Sequence, residues 1–493
     1  MKISQAQDYS GILNTDLYQI TMASAYWKSG IHLRDAVFHL TFRKNPFGGG
    51  YAVAAGLQQV VEFLENFGFT ADDLDYLAGL KTVIGGALLD DGFLEYLANL
   101  RFSCNMEAVP EGTAVFPHEP LLRVRGPILE AQLIETPLLN IINFQTLIAT
   151  KSSRICRAAQ GKPIMEFGLR RAQGLDGALS ASRAAYVGGC TSTSNVMAGK
   201  KYGIPVAGTH AHSWVLAFER EIDAFLAYAS AMPDNCVLLV DTYDSIEGIR
   251  HAIHTAHWLA ERGRKLIGVR LDSGDLDVLS RECRRMLDDA GLTDVKIFAS
   301  NDLDEYELLL LNERGAEIDA WGVGTRLATA YDQPALGGVY KLSAFEVHKG
   351  ILQDKIKLSE DMHKSNLPGL LQVRRFYRDH RMVADMIYDE RDSPDGASVM
   401  ISTDNPARKM SASARNEEWE DLLVPVYRAG NLVYHSPDID AIRSRTLTQM
   451  EQIYPGVLRL KRPDRYFTGI EQRMYRRWRS MVRSLRQPKR KKP

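Results

Sequence analysis

Along the middle of this chain, apolar and polar positions switch between two periods. Short apolar runs with strand character recur at Pro163–Gly168, Ile204–Gly208, Cys236–Asp241, Leu266–Leu271, Val295–Ser300 and Ile318–Val323. Between them lie segments with helical periodicity, among them Ser213–Ser230, Ser245–Arg262, Leu276–Ala290 and Leu303–Arg314. The strands repeat every ~25 to 40 residues, which is the arithmetic of βα units around a parallel sheet. Upstream, Asp16–Lys28 is amphipathic and follows a capping pair, Asn14-Thr15, while Ala36–Arg43 reads as a strand running into the loop Asn45-Pro46-Phe47-Gly48-Gly49-Gly50. Beyond Leu342 the pattern is more polar and less periodic, which predicts a third region of lower order. The expected organisation is residues 1–130, an N-terminal α/β domain; 131–342, the βα domain; and 343–493, a C-terminal domain with a basic tail.

Small or polar residues follow every strand of the middle region. In order they are Gly168-Leu169-Arg170-Arg171, Gly208-Thr209-His210-Ala211-His212, Asp241-Thr242-Tyr243-Asp244, Arg270-Leu271-Asp272-Ser273-Gly274-Asp275, Ser300-Asn301-Asp302 and Gly322-Val323-Gly324-Thr325-Arg326. An open doubly wound sheet concentrates its ligand contacts at one switch point, whereas a closed barrel aims all its strand C-termini at one mouth. Six loaded ends in succession favour a barrel, irregular or completed by earlier segments.

Composition narrows the class without changing that picture. A chain of 493 residues with 45% apolar and 25% charged residues is neither disordered, collagen-like nor a coiled-coil rod. There is no uncharged apolar run of about 18 residues, so no transmembrane helix is expected, and Met1-Lys2-Ile3-Ser4-Gln5 does not resemble a signal peptide. Cys104, Cys156, Cys190, Cys236 and Cys283 are scattered and odd in number, which suits a reducing, cytoplasmic setting rather than a disulfide framework or a CxxC metal site. Net charge is −1, too little to make nucleic acid the main partner. Ten basic and no acidic residues follow from Arg473 to the end, read as a solvated helix end and tail in preference to an arm for nucleic acid or anionic lipid.

Three features read as a phosphate and ribose site. Gly322-Val323-Gly324-Thr325 lets backbone N–H groups approach phosphate oxygens, although a Gly-rich turn is often only structural. Ser300 and Asn301 offer similar donors one strand earlier. Asp272 and Asp275 could accept ribose hydroxyls or hold Mg²⁺ through water, with helix capping as the competing role for Asp275. Arg170, Arg171 and Arg270 are forks for carboxylate or phosphate. His210 and His212 lack a third metal ligand of suitable spacing, so no protein metal cluster is expected. Asp241, on the next strand end, is positioned to hold an imidazole in one tautomer, which would suit proton transfer or a phosphorylatable nucleophile. The chemistry alone does not choose between the two histidines.

The motifs Asn14-Thr15-Asp16-Leu17-Tyr18-Gln19, Asn45-Pro46-Phe47-Gly48-Gly49-Gly50-Tyr51, Glu166-Phe167-Gly168-Leu169-Arg170-Arg171, Gly208-Thr209-His210-Ala211-His212-Ser213 and Val269-Arg270-Leu271-Asp272-Ser273-Gly274-Asp275 resemble those of the nicotinate phosphoribosyltransferases. Gly322–Leu327 and Gly337-Gly338-Val339-Tyr340-Lys341-Leu342 extend the likeness, which runs from about residue 13 to 345 and more faintly to the end.

The resemblance implies the type II phosphoribosyltransferase fold: an irregular α/β barrel with an N-terminal α/β domain and a C-terminal extension. It implies that nicotinate and phosphoribosyl pyrophosphate give nicotinate mononucleotide and pyrophosphate, with ATP as co-substrate, Mg²⁺ as cofactor and a phosphohistidine at His212. Phe167 and Tyr18 would sandwich the pyridine ring, Tyr18 coming from the other subunit of a head-to-tail homodimer. Arg270 would meet the substrate carboxylate, Asp272 the ribose, Arg170 the pyrophosphate, and Ser300, Asn301, Gly324 and Thr325 the 5′-phosphate. Thr209 falls in the same substrate-binding set, and Asp241 in the catalytic one. No Walker-type GxxxxGK[ST] is present, so ATP would use the barrel mouth. In the related nicotinamide enzymes an Asp falls in the segment matching Ser194–Gly199; here Asn195 takes its place, and an amide does not repel a carboxylate.

Overall fold

The computed structural model describes residues 11–358, 365–394, 397–413 and 418–486. Contacts divide the chain into two compact units: residues 147–334 with 439–447, and the remainder, 1–146, 335–438 and 448–493.

The first of these holds six strands, in sheet order Ser192–Thr193, Ile164–Glu166, Ala320–Val323, Lys296–Asn301, Gly268–Leu271 and Val237–Leu239. All five pairings are parallel. Helices flank such a sheet, so the apolar positions of its strands are shielded from both sides: Leu238, Val269, Leu271, Ile297, Ala299, Trp321 and Val323 are fully buried. Three of the helices that follow start on an aspartate. Asp244, Asp275 and Asp304 each accept hydrogen bonds from backbone N–H groups one turn on, opening Ser245–Ala260, Leu276–Asp289 and Glu305–Glu313. For Asp275 the capping role is therefore the one observed.

The sheet closes through a segment that is barely a strand. Pro205 O accepts from Thr193 N (3.0 Å) and Ala207 N donates to Thr193 O (2.9 Å) at one edge. Three residues on, His210 Nε2 accepts from Leu239 N (3.2 Å) at the other edge. The strand expected at Ile204–Gly208 is thus a single bridge between Val206 and Thr193. Pro205 has no N–H to give a ladder, which limits its length. The sixth true strand, Ser192–Thr193, lies in a polar run that carries no strand signal. The helix expected over Ser213–Ser230 is split into His212–Leu216 and Glu221–Ala231, with Arg220 extended between them. The Trp214 indole donates to Ala224 O across the break (3.1 Å).

The other unit joins the two ends of the chain. Its seven-stranded antiparallel sheet runs Ile351–Asp354, Val339–His348, Asp35–Thr41, Pro120–Pro127, Asn105–Ala108, Val424–Arg428 and Asn431–Leu432. A second, six-stranded sheet is built entirely from residues after 370 around Phe376, Met386, Tyr388, Met400 and Phe467. The expectation of lower order after Leu342 is corrected here. The polar pattern that prompted it includes strand arginines that are buried and paired, such as Arg375 with Asp385 (2.5 Å, both fully buried). The expected blocks 1–130, 131–342 and 343–493 are contiguous in sequence, whereas the compact units are not.

The C-terminal helix Gln472–Arg486 buries Met474, Trp478 and Val482, and its Arg477 reaches Asp354, Asp389 and Asp392. The basic run Lys489–Lys492 lies outside the described residues. No helix among the described residues is long and apolar enough to cross a membrane.

Candidate active site

The C-terminal ends of the barrel strands converge on one charged cluster. Arg270, at the end of Gly268–Leu271, donates from Nε to Ser300 Oγ (2.7 Å), from Nη1 to Thr209 Oγ1 (3.1 Å) and from Nη2 to Asp272 Oδ1 (2.8 Å). The loops carrying Thr209 and Asp272 and the strand end carrying Ser300 are thereby tied to one guanidinium. Ser300 also donates to Asp272 Oδ1. Burial works against the charged form of Asp272, but the bonds from Ser300 and Arg270 and the nearby His212 outweigh it and hold its carboxyl below the usual range. Asp272 is therefore a fixed anion at neutral pH.

The two histidines that sequence left equivalent are different in kind. His210 is buried and packs edge-on against Tyr228 with centroids 4.8 Å apart. Its Nε2 accepts from Leu239 N, so the proton sits on Nδ1, which faces Ala211 O (3.3 Å). Burial pushes its pKa below the ordinary imidazole value against that last bond, with Arg270 and His212 adding to the fall. His210 is thus a neutral closure residue of the barrel. His212 opens the helix His212–Leu216 with a side chain 41% exposed, its Nε2 3.8 Å from Asp272 Oδ2 and its Nδ1 3.2 Å from Thr242 Oγ1.

Asp241 does not hold an imidazole, contrary to expectation. Its Oδ2 accepts from Asp272 N (2.9 Å) and Ser273 Oγ (2.6 Å), bracing the loop that carries Asp272, while its buried Oδ1 has no hydrogen-bond partner among the described residues. The loop turns back on itself through Gly274 (φ 79°), which brings Ser273 within reach. The carboxylate beside His212 is Asp272 instead.

On the adjoining strands, Phe167 N donates to Val323 O (2.8 Å), and the ring packs on Gly322, where a Cβ would lie 2.7 Å from ring carbons Cδ2 and Cε2. The Arg270 guanidinium carbon is 5.6 Å from the ring centroid. Arg170 and Arg171 are exposed on the 3₁₀ turn Leu169–Arg171. Asn301 has φ 139°, a strained value for a residue with a side chain, at the end of Lys296–Asn301. Gly324 and Thr325 are half-buried at the start of the short helix Thr325–Ala328.

Two expected residues are not members of this cluster. Tyr18 belongs to the other unit, on the helix Leu17–Lys28, and is 48% exposed. Asn195 is buried and committed to the protein: Oδ1 accepts from Ala198 N (3.3 Å) as the cap of Val196–Tyr202, and Nδ2 donates to Ser182 Oγ (3.1 Å). Sequence reasoning assigned no role to Glu166, Ser182, Thr193 or Thr242. A carboxylate ending an apolar strand run was the one available signal, at Glu166. Among the described residues no group of three or more His, Cys, Asp or Glu could hold a metal ion.

Family models for the nicotinate phosphoribosyltransferase (NAPRTase) N-terminal domain, the NAPRTase family and the nicotinate phosphoribosyltransferase C-terminal domain match residues 13–143, 163–366 and 372–477. The nicotinate phosphoribosyltransferase of Bacillus subtilis is 44% identical over 466 residues, 93% of each chain. The human nicotinate phosphoribosyltransferase is 35% identical over 519 residues, 94% of this chain and 95% of that one. The crystal structure of human nicotinic acid phosphoribosyltransferase superposes with a TM-score of 0.83 at 32% identity, covering 96% of this chain and 99% of that chain. The nicotinate-nucleotide pyrophosphorylase structure from Pyrococcus furiosus, at 23% identity and a TM-score of 0.68 over 92% of this chain and 99% of that one, shares the fold.

Proposed function

The chain belongs to the nicotinate phosphoribosyltransferase family, and from that premise we propose that it joins nicotinate to phosphoribosyl pyrophosphate in NAD biosynthesis, coupled to ATP hydrolysis through His212. The products are nicotinate mononucleotide and pyrophosphate. The observation that carries the reading is the Arg270–Asp272–Ser300–Thr209 cluster at converging barrel strand ends, with His212 beside Asp272.

The pyridine nitrogen lone pair attacks the anomeric carbon as the bond to pyrophosphate oxygen breaks, so positive charge develops on the ribose. The Asp272 carboxylate, held ionised, takes a ribose hydroxyl bond and faces that charge in a partly water-excluded site. Arg270 anchors the nicotinate carboxylate. Its Nη1 bond to the neutral Thr209 hydroxyl is the one a carboxylate replaces with advantage, because charge-assisted bonds are about twice as strong. Phe167 aligns the ring, with Tyr18 of a head-to-tail homodimer as the opposite face. Exposed Arg170 meets pyrophosphate, and Ser300, Asn301, Gly324 and Thr325 cradle the 5′-phosphate.

Magnesium, when bound, neutralises pyrophosphate charge. Mg²⁺ keeps several waters and takes one or two carboxylates besides substrate phosphates, and Asp241, with its unpartnered Oδ1, and Asp272 suit that role. Phosphoryl transfer from ATP to the His212 imidazole would add a dianion at the mouth and change its affinity for substrates and products. Five free cysteines support a reducing, cytoplasmic setting.

Product formation from nicotinate and from nicotinamide, each with and without ATP, tests the reading. The expected result is nicotinate mononucleotide made far faster than its amide counterpart, with ATP raising the yield. Equal turnover of both bases, or no product from nicotinate, would sink it.

A further inference from the structure

Glu166 ends the strand Ile164–Glu166 fully buried, and its carboxylate accepts hydrogen bonds from three donors. Oε1 accepts from Gly168 N, and Oε2 accepts from Thr193 Oγ1 (2.6 Å) and Ser182 Oγ (2.9 Å). A carboxylate accepts and never donates, so both hydroxyl protons are drawn toward it. For Thr193 no other acceptor competes among the described residues. For Ser182 the alternative is the neutral Ala178 O at 3.0 Å, and the charged acceptor wins.

With their protons so placed, the two hydroxyls present only lone pairs on their far sides. Both far sides face residue 195: the backbone N donates to Thr193 Oγ1 (3.0 Å) and Nδ2 donates to Ser182 Oγ (3.1 Å). The amide orientation is fixed independently, because Ala198 N–H can bond only to the oxygen, Oδ1. Position 195 must therefore supply a side-chain N–H, which Asn has and Asp lacks.

We propose that Glu166 is a positioning residue which, through the hydroxyls of Ser182 and Thr193, sets the hydrogen-bond polarity at position 195 and thereby the geometry of the nicotinate-ring site. The link to the ring is short. The same carboxylate clasps Gly168 N, and the residue between is Phe167. The inference rests on the proposed activity for its kinetic readout. In Asn195→Asp, two carboxylates compete for one Ser182 proton, and one carboxyl must take a proton from solvent. With Glu166→Gln added, the new Nε2 donates to both hydroxyls, and Ser182 is free to donate to the new carboxylate at position 195. Thr193 then lacks an acceptor, so the exchange is partial.

The test compares wild type, Asn195→Asp, Glu166→Gln and the double variant. Each single change should raise the nicotinate KM by tenfold or more, with the phosphoribosyl pyrophosphate KM moving less than threefold. The double variant should recover most of that loss, and the recovery should vanish in a Ser182→Ala background. The Asn195→Asp defect should deepen from pH 6 to 8.5 as the relieving proton is lost. Apparent Tm should follow the same pattern, a readout that needs no substrate and survives failure of the activity assay. Defects that simply multiply in the double variant, or an Asn195→Asp protein with the wild-type nicotinate KM across that pH range, would overturn the proposal.

Discussion

Gly322→Ala tests whether the aromatic platform is set by the barrel backbone. The added Cβ would sit 2.7 Å from Cδ2 and Cε2 of Phe167 and 3.3 Å from Ser300 Cβ. Carbon atoms rest about 3.5–4.0 Å apart, so the ring must give by about 1 Å. Its backbone has little room to follow. Phe167 N is bonded to Val323 O at 2.8 Å, and the space beside the next residue, Gly168, is filled by the Cβ of Ala328. Overpacking of this kind costs ~1–3 kcal/mol of stability. A reacting ring displaced by about 1 Å costs on the order of 100-fold in rate. Steady-state kinetics should therefore show kcat/KM for nicotinate falling by tens to a hundredfold, alongside a lower chemical-denaturation midpoint. Gly177→Ala is the control: nothing lies within 4 Å of its Cβ, and it sits inside the helix Leu175–Val187, where the change stabilises by up to about 1 kcal/mol. A Gly322→Ala enzyme with wild-type nicotinate kinetics and wild-type stability would refute the reasoning.

Two further outcomes concern the histidine pair. His212→Ala should abolish ATP coupling while slow, ATP-independent synthesis persists, and an acid-labile phosphate located by alkaline mass spectrometry should map to His212 and not His210. His210 carries a lowered folded pKa. Between that value and the ordinary imidazole value of 6.5, the unfolded chain holds a proton that the folded chain lacks, so stability rises with pH in that window and falls on acidification through it. His210→Gln, whose side-chain oxygen can accept from Leu239 N–H, removes this group. Its apparent Tm should fall less steeply than wild type between pH 7.5 and 5.5, and parallel curves would argue against a neutral His210.

The barrel was legible because its strands are buried on both faces and announce themselves as apolar runs ending in polar residues. What escaped the sequence was set by partners distant along the chain. Ser192–Thr193 has no apolar side chain and is a strand only because Met165 and Glu166 pair with it. The break between His212–Leu216 and Glu221–Ala231 contains neither Gly nor Pro, so nothing local marked it. In the site, strand ends told which residues meet, while their pairing depended on the fold of a loop. Asp241 reaches back to the Asp272 loop, which leaves Asp272 to face His212. The region after Leu342 reads as loosely ordered because it is polar and weakly periodic, and part of that polarity, such as Arg374 and Arg375, is buried and paired: in sequence such an arginine looks like a solvated one.

The sheet that joins the two ends of the chain sets an order of events during synthesis. The strand Asp35–Thr41 leaves the ribosome early, yet its partner Val339–His348 follows about 300 residues later. At roughly 5–20 residues per second that is a wait of about 15–60 s. Over the same interval residues 147–334 emerge complete but for the short 439–447 segment, with their parallel strands all in hand. Pro120–Pro127, the other neighbour of the early strand, arrives much sooner and covers one edge. The opposite edge, flanked by the fully buried Val37 and Leu40, stays open until the barrel has been made. In a crowded cell that open edge is where a nascent chain would meet a holdase or another nascent chain, so slower translation past residue 41 lengthens the exposure and a faster one shortens it.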